Sequence, residues 1–230
     1  MTINDGFLAV LPMRGGSERI PRKNLLDLAG KPLYSWILDT VLSIEGAHVV
    51  VDTDDDEIAE QVAAHYADVQ IVRRPSHLGV GTAPMNEVLV NTLNNTSFYP
   101  TVLQVHATNP FVSRGSLVSA VEMVASDNKC DSAFSATRLQ ARLWTNDLEA
   151  VNHDPKVLLR TQDLAPLFIE NSSFYVFDRT GFMASRNRIG SQPAMVEISS
   201  LEAVDIDNPD DLEFARLIAP NLEKPLVGQL

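Results

Sequence analysis

FLAVLPM (residues 7–13) runs directly into RGGSERIPRKN (14–24), and KPLYSWILDTVLSI (31–44) follows a few residues later. In the last segment Leu33, Trp36, Ile37, Val41 and Leu42 recur at helical spacing, and Pro32 falls in the first turn, where a missing N–H costs nothing. Residues 7–13 are a short apolar run of strand length, so the three pieces together read as a strand, a loop and a helix. The same alternation continues outward. Strands are predicted at Ala47–Val51, Val69–Val72, Thr101–Val105 and Ser132–Ser135. Helices are predicted from about Asp55 to Tyr66, Pro84 to Leu93 and Ser116 to Ser126. The stretch from about Arg138 to Glu170 has no sustained period and reads as an excursion. Ser173–Phe177 and Ala203–Asp207 then return as strands before a helix at Pro209–Ile218. Such alternation predicts an α/β fold, a mostly parallel sheet with helices on both faces, with ligands beyond the carboxyl ends of the strands.

The 230 residues suit a single domain over 1–230, with 138–170 as an approximate insert. Eighteen Lys and Arg against thirty Asp and Glu give a formal charge of −12, a balance that does not favour nucleic acid or anionic membrane as a partner. One cysteine, Cys130, excludes an internal disulfide framework and a Cys-rich zinc site, and suits a reducing, cytoplasmic setting. The start, Met1 to Gly6, is polar and acidic rather than signal-like. No apolar run approaches the roughly 20 residues of a membrane helix, so the expectation is an untargeted, soluble chain.

Against that acidic background the loop 14–24 stands out. Arg14, Arg19, Arg22 and Lys23 face one acid, Glu18, a local charge of +3. Gly15 and Gly16 permit positive φ and close approach, so main-chain N–H groups and cationic side chains can converge on phosphate oxygens. The loop is neither Walker A nor GxGxxG, and taken alone it also reads as a solvated basic turn.

VDIDNPDDLEFA (204–215) supplies the opposite charge. Alternation along a strand points Asp205 and Asp207 the same way with Ile206 inward, and two such carboxylates suit Mg²⁺, which takes one or two of them plus phosphate oxygens. Asn208, Pro209, Asp210 and Asp211 read as a helix cap, its first residue and dipole-favoured acids. A rival pair, Asp52 and Asp54 in VVVDTDDDEIAE (49–60), is explained more simply as a strand end followed by a helix cap, and ranks second as a metal site.

RGGSERIPRKNLLDLAGKPLYSW resembles RxGSKxxPxKNxxxxxGxPL, the N-terminal signature of the CMP-sialic acid synthetase (acylneuraminate cytidylyltransferase) family. The 204–215 string is similar to the family's DIDTPEDL. RRPSHLGVGTAPMNEVL (73–89), LQVHATNPF (103–111) and RTQDLAPLFIENSSFYVFDR (160–179) resemble three further family segments in the same order. The resemblance implies a Rossmann-like three-layer α/β/α nucleotidyltransferase fold with a small dimerisation insert, hence a homodimer. It implies transfer of CMP from CTP to a nonulosonic (2-keto) acid sugar with Mg²⁺. Lys23, Arg14 and Asp207 are then the catalytic candidates, and Asp205 and Asp207 the metal ligands. Gly15, Gly16, Ser17, Arg19 and Asn24 belong to the triphosphate loop. Arg74, Gly79, Val80 and Thr82 frame cytosine and ribose, while Gln104, His106, Arg160 and Asn171 lie toward the sugar.

The chain departs from the pattern in places. Glu18 stands where the family commonly has lysine, which leaves Arg19 or Arg22 to take over a phosphate contact. Gly81 replaces an aspartate, Ser172 a glycine, and His106 a glutamine; a lone histidine is more often a satisfied polar residue than a catalyst. Two alternatives stay open at this point: a cytidylyltransferase for another acceptor such as a deoxyoctulosonate, and a nucleotide-binding relative that no longer catalyses.

Overall fold

The computed structural model describes residues 6–125 and 130–222, so the expectations for Met1–Asp5 and for a helix end at Ser126 lie outside the described residues. Strands β1 (Phe7–Met13), β4 (Ala47–Thr53), β5 (Gln70–Arg73), β6 (Thr101–Val105), β7 (Ser132–Leu139), β8 (Leu167–Asp178) and β9 (Pro193–Glu197) form one sheet in the order β5-β4-β1-β6-β8-β7-β9. Every pairing is parallel except those of β8, which runs against both β6 and β7. Two short strands, β2 (Asp27–Leu28) and β3 (Lys31–Pro32), pair separately as the phosphate-like loop gives way to the first helix.

Both faces of the sheet are apolar, as parallel strands buried under helices require. Along β1, Phe7, Ala9, Leu11 and Met13 point to one face, where they meet α1 (Leu33–Leu42), α2 (Asp56–His65) and α4 (Arg114–Ala125) through Ile37, Val62 and Leu117. Leu8 and Val10 point to the other, packing with Leu89 and Leu93 of α3 (Met85–Asn94) and Phe182 of α5 (Arg179–Ser185). A third cluster joins Leu212, Ala215 and Ala219 of α6 (Pro209–Leu222) to Leu28, Leu33, Trp36, Phe111 and Ile206. It seats α6 against the loop that follows β1.

Three expectations are corrected. Ala203–Asp207 is not a strand: Ile206 N donates to Thr108 O and Asn109 Nδ2 to Val204 O, ties that hold an extended segment without a ladder. The alternation survives in that segment, because Ile206 is fully buried between its two aspartates. A strand that the pattern misses, β9, lies at the sheet edge beside β7. Finally, β7 and β8 extend into the predicted excursion, leaving residues 140–166 as the connection between two antiparallel neighbours, with a single bridge between Trp144 and Ala150. Among the described residues no helix is long and apolar enough to cross a membrane.

Candidate active site

The carboxyl ends of β1 and β6 meet the segment before α6 around an open hollow of about 380 Å³. Arg14, Gly16, Ser17, Arg19, Lys23 and Asn24 line it from the basic loop, His106 and Thr108 from the end of β6, Gly81 from the facing loop, and Asp207 from the C-terminal side. Lys23 and Asp207 are 184 residues apart in sequence and 3.1 Å apart here, Nζ to Oδ1; Lys23 Nζ also donates to Ile206 O at 2.8 Å. Arg19 Nη2 reaches Asp207 Oδ2 at 3.0 Å. Desolvation pushes the Asp207 carboxyl up, but the hydrogen bond from Lys23 and the charges of Lys23 and Arg19 outweigh it and hold the group below its ordinary range. Asp205 goes the other way: desolvation, then the charge of Asp207, raises it despite a hydrogen bond from Thr108.

Asp207 is held in place by the helix that follows. Asn208 caps α6 by accepting from Asp210 N and Asp211 N, while the Asp211 carboxylate reaches back to Asp207 N at 2.8 Å and Asn208 N at 2.9 Å. Asp211 is therefore a capping-box acid as well as a dipole-favoured one.

The loop is organised differently from the sequence expectation. Gly15 and Gly16 do not take positive φ; among the described glycines only Gly6, Gly30 and Gly46 do. Gly15 is needed for close approach, since a Cβ there would lie 2.4 Å from the Asp55 carboxylate, and its N–H donates to Asp54 Oδ1 at 3.0 Å. Arg22 turns away to Asp55 and Glu57, so of Arg19 and Arg22 it is Arg19 that joins Arg14 and Lys23 in the hollow. Arg14 Nε donates to Gly16 O, and Asn24 Nδ2 to Arg14 O, which fixes the start of the loop.

Glu18 and Gly81 meet in space. A Cβ on Gly81 would lie 2.5 Å from the Glu18 carboxylate and 2.7 Å from Arg14 Nη1. The Glu18 carboxylate thus lies beside position 81, where the family pattern has an aspartate, with Arg14 next to both.

Other predicted residues lie elsewhere. Arg74 is buried and donates to Asp52, which also accepts from Thr92 Oγ1 at 2.8 Å. Gly79 packs on Asp54, while Val80 and Thr82 are exposed on the same loop. Arg160 pairs with Asp163, and Asn171 bonds Ser135 and Thr137, so neither lines the hollow.

Gln104, fully buried on β6, bonds His106 Nε2 at 2.9 Å through its Nε2. Its Oε1 accepts from Arg188 Nη1 at 2.9 Å. Arg188 is a donor only, so it fixes the amide; the Gln104 NH₂ must then donate to His106 Nε2, which leaves the imidazole proton on Nδ1. Desolvation, helped by the charges of Arg188 and Lys23, lowers His106 to about 4, so it is neutral at physiological pH. Arg188 follows α5 in a stretch without a recognisable motif, and sequence reading missed it.

Among the described residues no three His, Cys, Asp or Glu side chains gather as an all-protein metal cage. Asp205 and Asp207 offer hard oxygen donors two residues apart, and the Asp205 carboxyl is raised first by desolvation and then by the neighbouring Asp207 charge. Such a donor set fits Mg²⁺, which completes its shell with water and phosphate.

A family model described as Cytidylyltransferase matches residues 8–223. The chain is 28% identical over 223 residues to the pseudaminic acid cytidylyltransferase of Campylobacter jejuni, covering 92% of this chain and 95% of that protein. It is 30% identical over 235 residues to the N-acylneuraminate cytidylyltransferase of Oncorhynchus mykiss, covering 96% of this chain and 53% of the longer relative. The CMP:2-keto-3-deoxy-manno-octonic acid synthetase solved in complex with CTP matches with a TM-score of 0.71 over 94% of this chain and 99% of its own, at 18% identity, a likeness of fold. With the model spanning nearly the whole sheet and both charged segments, the chain belongs to the cytidylyltransferase family of nucleotidyltransferases.

Proposed function

We propose that the chain transfers CMP from CTP to the anomeric hydroxyl of a nonulosonic acid sugar. That oxygen attacks the α-phosphorus in line and gives up its proton to solvent, the bond to the β-phosphate oxygen breaks, and pyrophosphate leaves. The observation that carries the reading is the hollow itself: an acidic chain gathers Arg14, Arg19 and Lys23 at one end of its sheet, against Asp207. The full-length match to a pseudaminic acid cytidylyltransferase supports the acceptor class.

In this reading Lys23 and Arg19 exchange Asp207 for phosphate oxygens when CTP enters. Positioned positive charge then stabilises what develops on the departing pyrophosphate, the main route by which phosphoryl transfer is accelerated. Asp207, released from those cations, would hold Mg²⁺ together with Asp205, and the ion when bound would supply further neutralisation of the phosphate charge. His106, protonated on Nδ1 and neutral, orients an acceptor oxygen as a hydrogen-bond donor rather than removing its proton. The setting is cytoplasmic, where nucleoside triphosphate is at hand. Two copies of the chain assemble through the 140–166 connection, which leaves Leu148 79% and Leu158 91% exposed.

The test is pyrophosphate release with CTP, Mg²⁺ and a panel of pseudaminic, N-acetylneuraminic and 3-deoxy-manno-octulosonic acids, with UTP and ATP as donor controls. Release with CTP and a nonulosonate is expected. Release only with the octulosonate changes the acceptor, and CTP binding without release from any acid defeats the reading. The mass of the same preparation in solution tests the two-copy assembly.

A further inference from the structure

Beyond His106 the side chains of Gln104, Arg188 and Tyr175 form a linked cluster. Arg188 lies partly exposed in the loop between α5 and β9, its guanidinium 4.1 Å from the Tyr175 ring centroid and hydrogen-bonded to Gln104. Gln104 and Tyr175 are direct cross-strand partners on β6 and β8, so Arg188 spans the pair. Tyr175 is held in turn: its hydroxyl donates to Glu170 and sits 3.1 Å from Ser172 Oγ, on a serine that adopts φ 57.

The loop that carries Arg188 is pinned on both sides. Arg186 takes φ 58 to end α5, and its carbonyl accepts from Asn86 Nδ2 at 2.7 Å. After it, Gly190 N donates to Ser132 Oγ, while Ser191 N and Gln192 N donate to Asp131. A guanidinium so fixed loses little freedom on meeting a ligand. Burial disfavours its charged form, yet among the described residues no carboxylate bridges it. Glu170 acts on it by charge but is engaged by the Tyr175 hydroxyl. Arg14, Arg19 and Lys23 line the hollow, whereas Arg188 is joined to it through Gln104, which bonds His106.

We propose that Arg188 grips the carboxylate of the 2-keto acid acceptor, with Gln104 and Tyr175 holding its guanidinium in place. The inference rests on the acceptor class proposed above and names the residue that reads it. A 2-keto acid sugar bears its carboxylate on the very carbon that bears the attacking hydroxyl. A clamp beside His106 therefore orients the nucleophile as well as selecting the acid. A guanidinium presents two parallel N–H groups to a carboxylate, a geometry that lysine lacks.

The test uses the whole protein and each of the three acids of the panel, alongside its C1 methyl ester. CTP affinity is measured separately by titration. The unaltered protein is expected to prefer acid over ester by on the order of 30-fold, the range of a charge-assisted hydrogen-bonded pair. Arg188→Met should bring that ratio close to one and raise acceptor KM while CTP affinity stays within about twofold, a split that a merely structural residue would not produce. Arg188→Lys should retain part of the preference. If the acids are substrates and Arg188→Met keeps the acid-to-ester ratio, or loses CTP affinity in step with acceptor, the assignment of Arg188 is wrong and the proposed function stands. If CTP binds but none of the acids is turned over, the acceptor class has failed and this inference fails with it.

Discussion

Two Asp-x-Asp sequences end extended segments in this chain, and the fold gives them opposite fates. Asp52 is fully buried, bonded to Arg74 and Thr92, and Asp54 accepts from Gly15 N. Asp205 and Asp207 are solvent-accessible, and Asp207 faces Lys23 and Arg19 across the hollow. Spelling is the same in both; what differs is the cation that Asp52 and Asp207 meet, a buried arginine for the first and two cations of an open loop for the second. A buried partner makes a carboxylate part of the framework, and an exposed one makes it available to ligand.

The contrast breaks first at Asp207. Asp207→Asn is expected to lower kcat/KM by about 10³-fold, the size seen when one charge-stabilising group is removed. The melting temperature should move by no more than about 2 °C, because the pair is partly exposed and contributes little to stability. A turnover loss below tenfold would remove Asp207 from the chemistry.

Arg74→Met should do the reverse. It strands the Asp52 carboxylate inside the protein at a cost of about 3–5 kcal/mol, seen as a roughly 10 °C drop in melting temperature. Adding Asp52→Asn should recover part of that loss by removing the charge. If Arg74→Met melts normally and CTP binding collapses, Arg74 belongs to the nucleotide pocket and the first pair is not framework.

A smaller effect sharpens the comparison through pH. His106 at about 4 lies below its ordinary 6.5, so between those values the unfolded chain binds the extra proton and stability falls as pH falls. The loss is complete below about pH 4 and amounts to at most about 3 kcal/mol. His106→Gln should flatten denaturant midpoints measured from pH 7 to pH 4; an unchanged slope would show that the imidazole is not the buried group responsible.

Much of this was legible in the sequence because it depends on local periodicity and charge. The run 7–13, the helical spacing after Pro32, and the +3 loop in a −12 chain locate the sheet and its cationic end. A cap for α2 at Asp54 or Asp55, which the structure places at Asp55, and Asn208 as the cap of α6 were readable for the same reason. What escaped is set by partners distant in sequence. Residues 203–207 carry strand-like alternation but find no neighbouring edge. PAMVE looks like loop until β7 offers it one. Glu18 and Gly81 read as two separate departures and prove to be neighbours in space beside Arg14. Arg188 has no motif at all; only the strand pair beneath it gives it a role.

The backbone tie from Asp211 to Asp207 makes the C-terminal helix a latch on the cationic loop laid down 184 residues earlier. Without Asp207, Lys23 and Arg19 lose the carboxylate they share, whereas Arg22 keeps Asp55 and Glu57. The seating of α6 and the charge balance of the hollow are therefore one arrangement, since the helix fixes the backbone of the carboxylate that both cations meet.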